Sequence, residues 1–157
     1  VEWLKAREAA RDPWFYAIIR REDGKPCGMG SFMRCDAANG VVEIGNIWMS
    51  PGLQKTREAT EAVFLMIRHA FDDLGVRRLE WKCDSLNAAS RKAAERFGFV
   101  FEGIFRQHMI IKGRNRDTAW YAMLDKDWPR VRKAFETWLL PENFDAAGRQ
   151  KAKLQVA

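Results

Sequence analysis

Two short stretches carry residue types whose spacing suits chemistry. The first, SPGLQKTREAT over residues 50–60, sets a Pro-Gly turn and a basic segment directly before the most hydrophobic helix-forming run of the chain. If that helix begins near Arg57, its first amide N–H groups have no partner inside the helix. An anion there would satisfy them and gain from the helix dipole, with Lys55 and Arg57 adding charge and Thr56 placed to cap. The dipole alone contributes about 0.3–1 kcal/mol, so several groups have to act together. A plain capped strand-to-helix loop explains the same residues equally well. The second stretch, NAAS, puts Asn87 at the cap of a later helix and Ser90 one turn in. Each alone is ordinary, since Asn is a common cap. Two such helix starts in one chain are more informative than either.

The elements that must position these residues follow from periodicity. EWLKAREAA (2–10) is helix-prone, with Trp3, Leu4 and Ala10 at helical spacing. WFYAIIRRE (14–22) and CGMGSFMRC (27–35) flank the hairpin signal Asp23-Gly24, and Asn39-Gly40 leads into VVEIGNIWMS (41–50). Strict alternation in that last strand places Val42, Ile44, Asn46 and Trp48 on one face and Glu43, Gly45, Ile47 and Met49 on the other. A helix over 57–74 has Ala59, Val63, Ile67, Ala70 and Leu74 as its stripe and Gly75 as its stop; its run 62–67 calls for cover on nearly every side. RRLEWKCD (77–84) alternates with Leu79, Trp81 and Cys83 inward. A helix over 87–97 then buries Ala89, Ala93 and Phe97 before Gly98. Strands over 99–112 and 117–124 follow, joined by the turn GRNR, and a final helix over 127–140 directs Val131, Phe135, Trp138 and Leu139 inward. DAAGRQKAKLQVA at the end reads as frayed and solvated.

This order predicts an α+β fold: one mixed, mostly antiparallel sheet with a central V-shaped splay and flanking helices. Residues 1–140 form a single domain and 141–157 a C-terminal tail. The strands ending at Ser50 and Asp84 are the expected parallel neighbours, both followed by helices, so two helix N-termini would converge on one cleft beyond the strand ends.

Composition narrows the function classes. Nearly half of the 157 residues are hydrophobic and seven are tryptophan, which fits a folded domain with a real core. Twenty-seven Lys and Arg against 21 Asp and Glu give a net charge of +6, favouring an anionic partner. Cys27, Cys35 and Cys83 are odd in number with no C-x-x-C pair, and His69 and His108 are the only histidines. Neither a disulfide framework nor a metal site is expected, and a reducing cytoplasm is the simplest location. No apolar run reaches the roughly 18 residues of a membrane span.

Over residues 14–124 the chain resembles the GNAT superfamily of acetyl-CoA-dependent N-acetyltransferases. The resemblance rests on the order of elements, on the N-x-x-S of Asn87 and Ser90 followed by the G-F of Gly98-Phe99, and on EGIFRQ with downstream Asp117 and Tyr121. The closest branch is that of the ribosomal-protein serine/alanine N-acetyltransferases. The family's pyrophosphate loop, Q/R-x-x-G-x-G/A, corresponds here to Gln54, Lys55, Thr56, Arg57, Glu58 and Ala59, with Arg57 in place of the Gly. An Arg there needs an ordinary backbone and can offer its guanidinium to a phosphate. The Tyr that serves many relatives as general acid is Ala94 here, as in the branch that uses the N-x-x-S serine. The family's first strand and its following helices are missing or reduced to residues 1–10, the part in which substrate identity usually resides.

The resemblance implies an acyltransferase that uses acetyl-CoA as co-substrate and no metal. A primary amine, on a protein N-terminus or a small molecule, attacks the thioester directly in a ternary complex. Glu43 is the best base, unless it is simply a paired sheet-face carboxylate, and His108 is the runner-up. The amides of Ile47, Trp48 and Met49 would hold the oxyanion, Asn87 the pantetheine amides, and Ser90 would protonate or hydrogen-bond the departing thiolate. Asp117 and Tyr121 support rather than react. The competing reading is a non-catalytic basic module docking on RNA or a ribosomal surface, although a nucleic-acid partner is disfavoured and a membrane is not expected. Trp128 and Trp138 on the last helix suit a homodimer, and core packing explains them equally.

Overall fold

The computed structural model of the chain describes Glu2, Lys5 and residues 10–156. The helix expected over 2–10, including Trp3 and Leu4, lies largely outside them. The chain divides into two compact units, Val1–Val76 and Arg77–Ala157.

In the first unit, β1 (Trp14–Ile19), β2 (Pro26–Asp36) and β3 (Val41–Met49) form the expected antiparallel meander. Gly24 and Gly40 take the left-handed conformation that their turns require. α1 (Arg57–Arg68) covers the sheet and runs into a π-helical turn, His69–Asp73. Met66 of α1 lies close enough to Gly30 of β2 that a Cβ there would meet its Sδ at 2.8 Å. Ala59, Val63, Ile67 and Ala70 are buried as the stripe predicts, whereas Leu74 and Leu65 face solvent. The π turn adds a residue to the helical repeat and rotates Leu74 out of phase. Leu65 shows that the run 62–67 is covered on one side only. Gly75, in the left-handed conformation, ends the element, with Val76 N–H donating to the Ala70 carbonyl six positions back.

β3 departs from strict alternation. Its partners step from Met29↔Trp48 to Ser31↔Gly45, so β3 carries one extra residue there. Asn46 has φ +50 at this bulge, and its amide is pinned by a 3.0 Å hydrogen bond to Ser31 Oγ. A bulge inverts the sidedness of everything beyond it. Val42 and Ile44 are therefore core, but Trp48, expected on their face, is 56% exposed. The local hint of the extra residue is Gly45, an isolated glycine in the strand beside an Asn that tolerates the left-handed region.

In the second unit, β4 (Arg78–Asp84), β6 (Arg114–Leu124) and β5 (Val100–Ile111) pair antiparallel in that spatial order. The β5–β6 turn is not GRNR. It is Lys112-Gly113, both at positive φ, with Ile111 facing Arg114, a two-residue turn whose twist matches the strands. Leu79, Trp81 and Cys83 are buried as expected. α2 (Ala88–Arg96) buries Ala94 and Phe97, with Ser90 half-buried, while Ala89 is exposed, one position out of phase with the expected stripe. In so alanine-rich a helix the apolar pattern leaves the facing side undetermined; tertiary packing sets it. A Cβ on Gly98, at φ +92, would meet Val131 at 3.1 Å, so the stop after α2 is also a close approach to the last helix.

That helix, α3 (Trp128–Trp138), buries Val131 and Phe135, and buries Trp128 and Trp138 as well. The two indoles belong to the core of this unit and are no basis for a homodimer. The tail is ordered, against the expectation of fraying. Trp138 Nε1–H donates to Gln150 Oε1 at 2.9 Å, Phe144 sits edge-on to Trp138 and pairs with Gln150, and Leu154 is buried. An indole N–H and apolar surface at the end of α3 both need cover, and the tail supplies it.

Candidate active site

The loop before α1 is built from the backbone outward. Ser50 N–H donates to the Cys27 carbonyl at 2.9 Å, and the Ser50 carbonyl accepts Leu53 N–H and Gln54 N–H at 2.9 and 3.1 Å. Leu53 anchors the loop in an apolar cluster with Cys27 and Ala59. Gln54 Nε2 donates to the Met49 carbonyl at 3.0 Å, tying the loop to the end of β3. The left-handed residue of the loop is Lys55, φ +63. Arg57, at the position of the family's glycine, is simply the first helical residue, so a side chain there costs no backbone strain. Thr56 is the N-cap: its Oγ1 accepts Ala59 N–H at 3.1 Å and donates to the Leu53 carbonyl at 2.7 Å. The cap thus takes one of the amides of the first turn. Glu58 is exposed and acidic in that turn, complementing the dipole.

Glu43 is 3% exposed and stands on β3 before the bulge, with Oε2 2.7 Å from Arg34 Nη1. Ile47, Trp48 and Met49 lie beyond the bulge. Of the expected residues in this unit, Gln54 meets Met49 and Thr56 meets Ala59, whereas Glu43 is engaged by Arg34, which sequence reasoning did not single out.

The start of α2 is equally constrained. Asp84 Oδ1 accepts Leu86 N–H at 2.9 Å, its carbonyl accepts Asn87 N–H, and Ser85 N–H donates to the Asp117 carbonyl. Asn87 Oδ1 accepts Ser90 N–H at 3.0 Å, the cap that was expected. Ser90 Oγ accepts a 3.0 Å hydrogen bond from Trp81 Nε1–H on β4. This contact was not foreseen, although a buried indole N–H on an alternating strand always needs an acceptor. Tyr121, fully buried, donates to Glu95 Oε1 and accepts from Arg91 Nε at 3.1 Å, and that bond raises the Arg91 guanidinium above its ordinary range. Asp117 Oδ1 accepts Gln107 N–H at 2.7 Å, within a second bulge. His108 is hydrogen-bonded through Nδ1 to Thr118 Oγ1 at 2.9 Å and is packed by Phe105 and Trp120. Among the described residues no group of three or more His, Cys, Asp or Glu side chains is placed to hold a metal ion, and no helix is long and apolar enough to cross a membrane.

Comparison with known proteins gives this geometry a family. A GCN5-related N-acetyltransferase from Brucella melitensis superposes with a TM-score of 0.94 at 54% identity, covering 98% of this chain and 69% of its own. The α+β fold is therefore shared with that protein. YdaF of Bacillus subtilis, whose name provisionally assigns it ribosomal N-acetyltransferase activity, is 32% identical over 68% of this chain and 57% of its own length. The ribosomal-protein-serine acetyltransferase of Escherichia coli is 30% identical over 68% and 59% respectively. The chain thus spans less than two thirds of these curated relatives. Residues 1–100 match the acetyltransferase (GNAT) domain, and the chain belongs to that family.

Proposed function

We propose that the chain acts in the transfer of the acetyl group of acetyl-CoA to a primary amine, by direct attack in a ternary complex. The carrying observation is the start of α1: a Thr56-capped helix preceded by Lys55 and opened by Arg57, in a loop locked to β3 through Gln54. A helix N-terminus flanked by two cations fits the diphosphate of coenzyme A. In this reading the amides of Ile47, Trp48 and Met49 receive the oxyanion. Asn87, whose Oδ1 serves the cap, offers Nδ2 to the pantetheine arm. Ser90 donates to the departing sulfur. The amine gives up its proton to Glu43 or to a water chain. The acceptor is a protein N-terminus or a small amine, and the names of the Bacillus and Escherichia relatives place ribosomal proteins among the first to try. The cytoplasm, where acetyl-CoA and nascent N-termini coexist, is the proposed location.

Thermal unfolding with increasing coenzyme A and a thiol-release assay over an amine panel test this. A ligand at a hundred times its Kd stabilises by about 2.7 kcal/mol, a readily measured rise in Tm. No shift at millimolar coenzyme A, together with salt-sensitive RNA binding, would replace the enzyme with a basic docking module.

A further inference from the structure

We infer that Trp81 is a positioning residue for Ser90: its indole N–H occupies the acceptor side of the Ser90 hydroxyl and so directs that hydroxyl's proton toward the departing sulfur. The inference rests on the acetyl transfer proposed above and assigns Trp81 a part in it.

A hydroxyl has one proton to give and can accept through its oxygen, whereas an indole N–H can only donate. The 3.0 Å contact between Trp81 Nε1 and Ser90 Oγ therefore has one polarity, with Ser90 accepting. Trp81 is 7% exposed and wedged against Phe97 and Phe99, with ring centroids 6.1 and 5.6 Å away, so the donor does not swing aside. A serine early in a helix ordinarily returns its proton to a carbonyl one turn back. Here the carbonyls one turn back, of Leu86 and Asn87, accept the backbone N–H groups of Ala88 and Arg91, and neither takes a hydrogen bond from the Ser90 hydroxyl. Among the described residues no acceptor takes the Ser90 proton. A hydroxyl that accepts from a donor is also polarised into a better donor.

The chemical step balances without further groups. The amine nitrogen's lone pair forms the C–N bond to the acetyl carbon. The C–S bond breaks with its electron pair moving to sulfur, and the nitrogen sheds its extra proton to the base or to water. Ser90 keeps its own proton and donates a hydrogen bond to the thiolate, which takes a proton from solvent on release. Trp81 touches neither substrate nor product in this scheme; it fixes the orientation of Ser90.

The test is a double-mutant cycle on the full chain with acetyl-CoA and the best amine of the panel. Trp81→Phe keeps the aromatic packing and deletes the donor. It is expected to lower kcat roughly three- to tenfold, the size of one neutral hydrogen bond, with KM for acetyl-CoA unchanged. Ser90→Ala is expected to lose more, and the double variant to match Ser90→Ala alone, because Trp81 then has nothing to orient. A Trp81→Phe enzyme with full kcat, or one that loses activity further in the Ser90→Ala background, overturns the inference while leaving acetyl transfer standing. A wild-type chain that acetylates no amine overturns both. Should Trp81→Phe fail to fold, the Trp81 indole proton is followed by NMR in the wild type and in Ser90→Ala: a resonance that moves upfield on losing its acceptor supports the hydrogen bond, and one that stays put removes it.

Discussion

Thr56→Val is the sharpest test of how the candidate phosphate site is built. Valine is isosteric with threonine and removes only the hydroxyl. That hydroxyl makes two hydrogen bonds, accepting Ala59 N–H at 3.1 Å and donating to the Leu53 carbonyl at 2.7 Å. The Leu53 carbonyl keeps a second partner in Thr56 N–H at 3.3 Å, so its loss is small. Ala59 is 6% exposed, so its N–H would lose its acceptor where water hardly reaches. Losing a Thr cap costs about 0.5–2 kcal/mol, and leaving a buried donor unmatched costs about 1–3 kcal/mol. These figures describe overlapping parts of one event, and about 1.5 kcal/mol is the expected result. Two compact units need not melt together, so amide hydrogen exchange along α1 is the better assay. Exchange at Ala59 should accelerate on the order of tenfold in Thr56→Val, at RT ln 10 of about 1.4 kcal/mol, and return to normal in Thr56→Ser. Coenzyme A affinity should fall in the first variant and not in the second. Equal exchange in wild type and Thr56→Val, or equal damage from Val and Ser, would refute the capping argument.

Three further outcomes follow from the same contacts. Gly28→Ala should destabilise the first unit by about 2 kcal/mol, because its Cβ would stand 2.7 Å from the Trp48 carbonyl oxygen; Gly30→Ala meets only the mobile end of Met66 and should cost less than half as much in urea titrations. With Glu43 as the base proposed above, Glu43→Gln keeps shape and removes the proton acceptor, so kcat should fall by about a hundredfold or more with KM unchanged; a loss under about tenfold would assign the proton to the water chain and leave Glu43 a structural role that includes Arg34. The hydrogen bonds from Arg78 to Glu102, at 2.9 and 2.6 Å, hold the Glu102 carboxyl below its ordinary range, with burial opposing. A depressed carboxylate stabilises the fold above its unfolded pKa and loses that contribution as pH falls through the folded one. Glu102→Gln should therefore cost up to about 1 kcal/mol at pH 7, since the side chain is 42% exposed, and nothing once both carboxyl states are protonated, as stability curves at pH 7 and pH 3 would show.

The amino-acid sequence by itself determined the elements, their order and the chemistry available to them. Period-two runs, Asp-Gly and Asn-Gly turns, the caps at Thr56 and Asn87 and the stops at Gly75 and Gly98 are local signals, each readable within a few residues because the physics behind it is local. Sidedness was different. The bulge at Asn46, the π turn at His69–Asp73 and the phase of alanine-rich α2 arise from packing partners distant in sequence, and a single added residue turns every later side chain over. The pairings that give the candidate site its chemistry likewise depend on packing. Glu43 meets Arg34 nine positions away, and Ser90 meets Trp81 across a strand and a turn. Both pairs fit within ten residues, yet each joins separate elements across a turn, so the register and packing of the folded chain decide which hydroxyl meets the indole and which carboxylate meets the guanidinium.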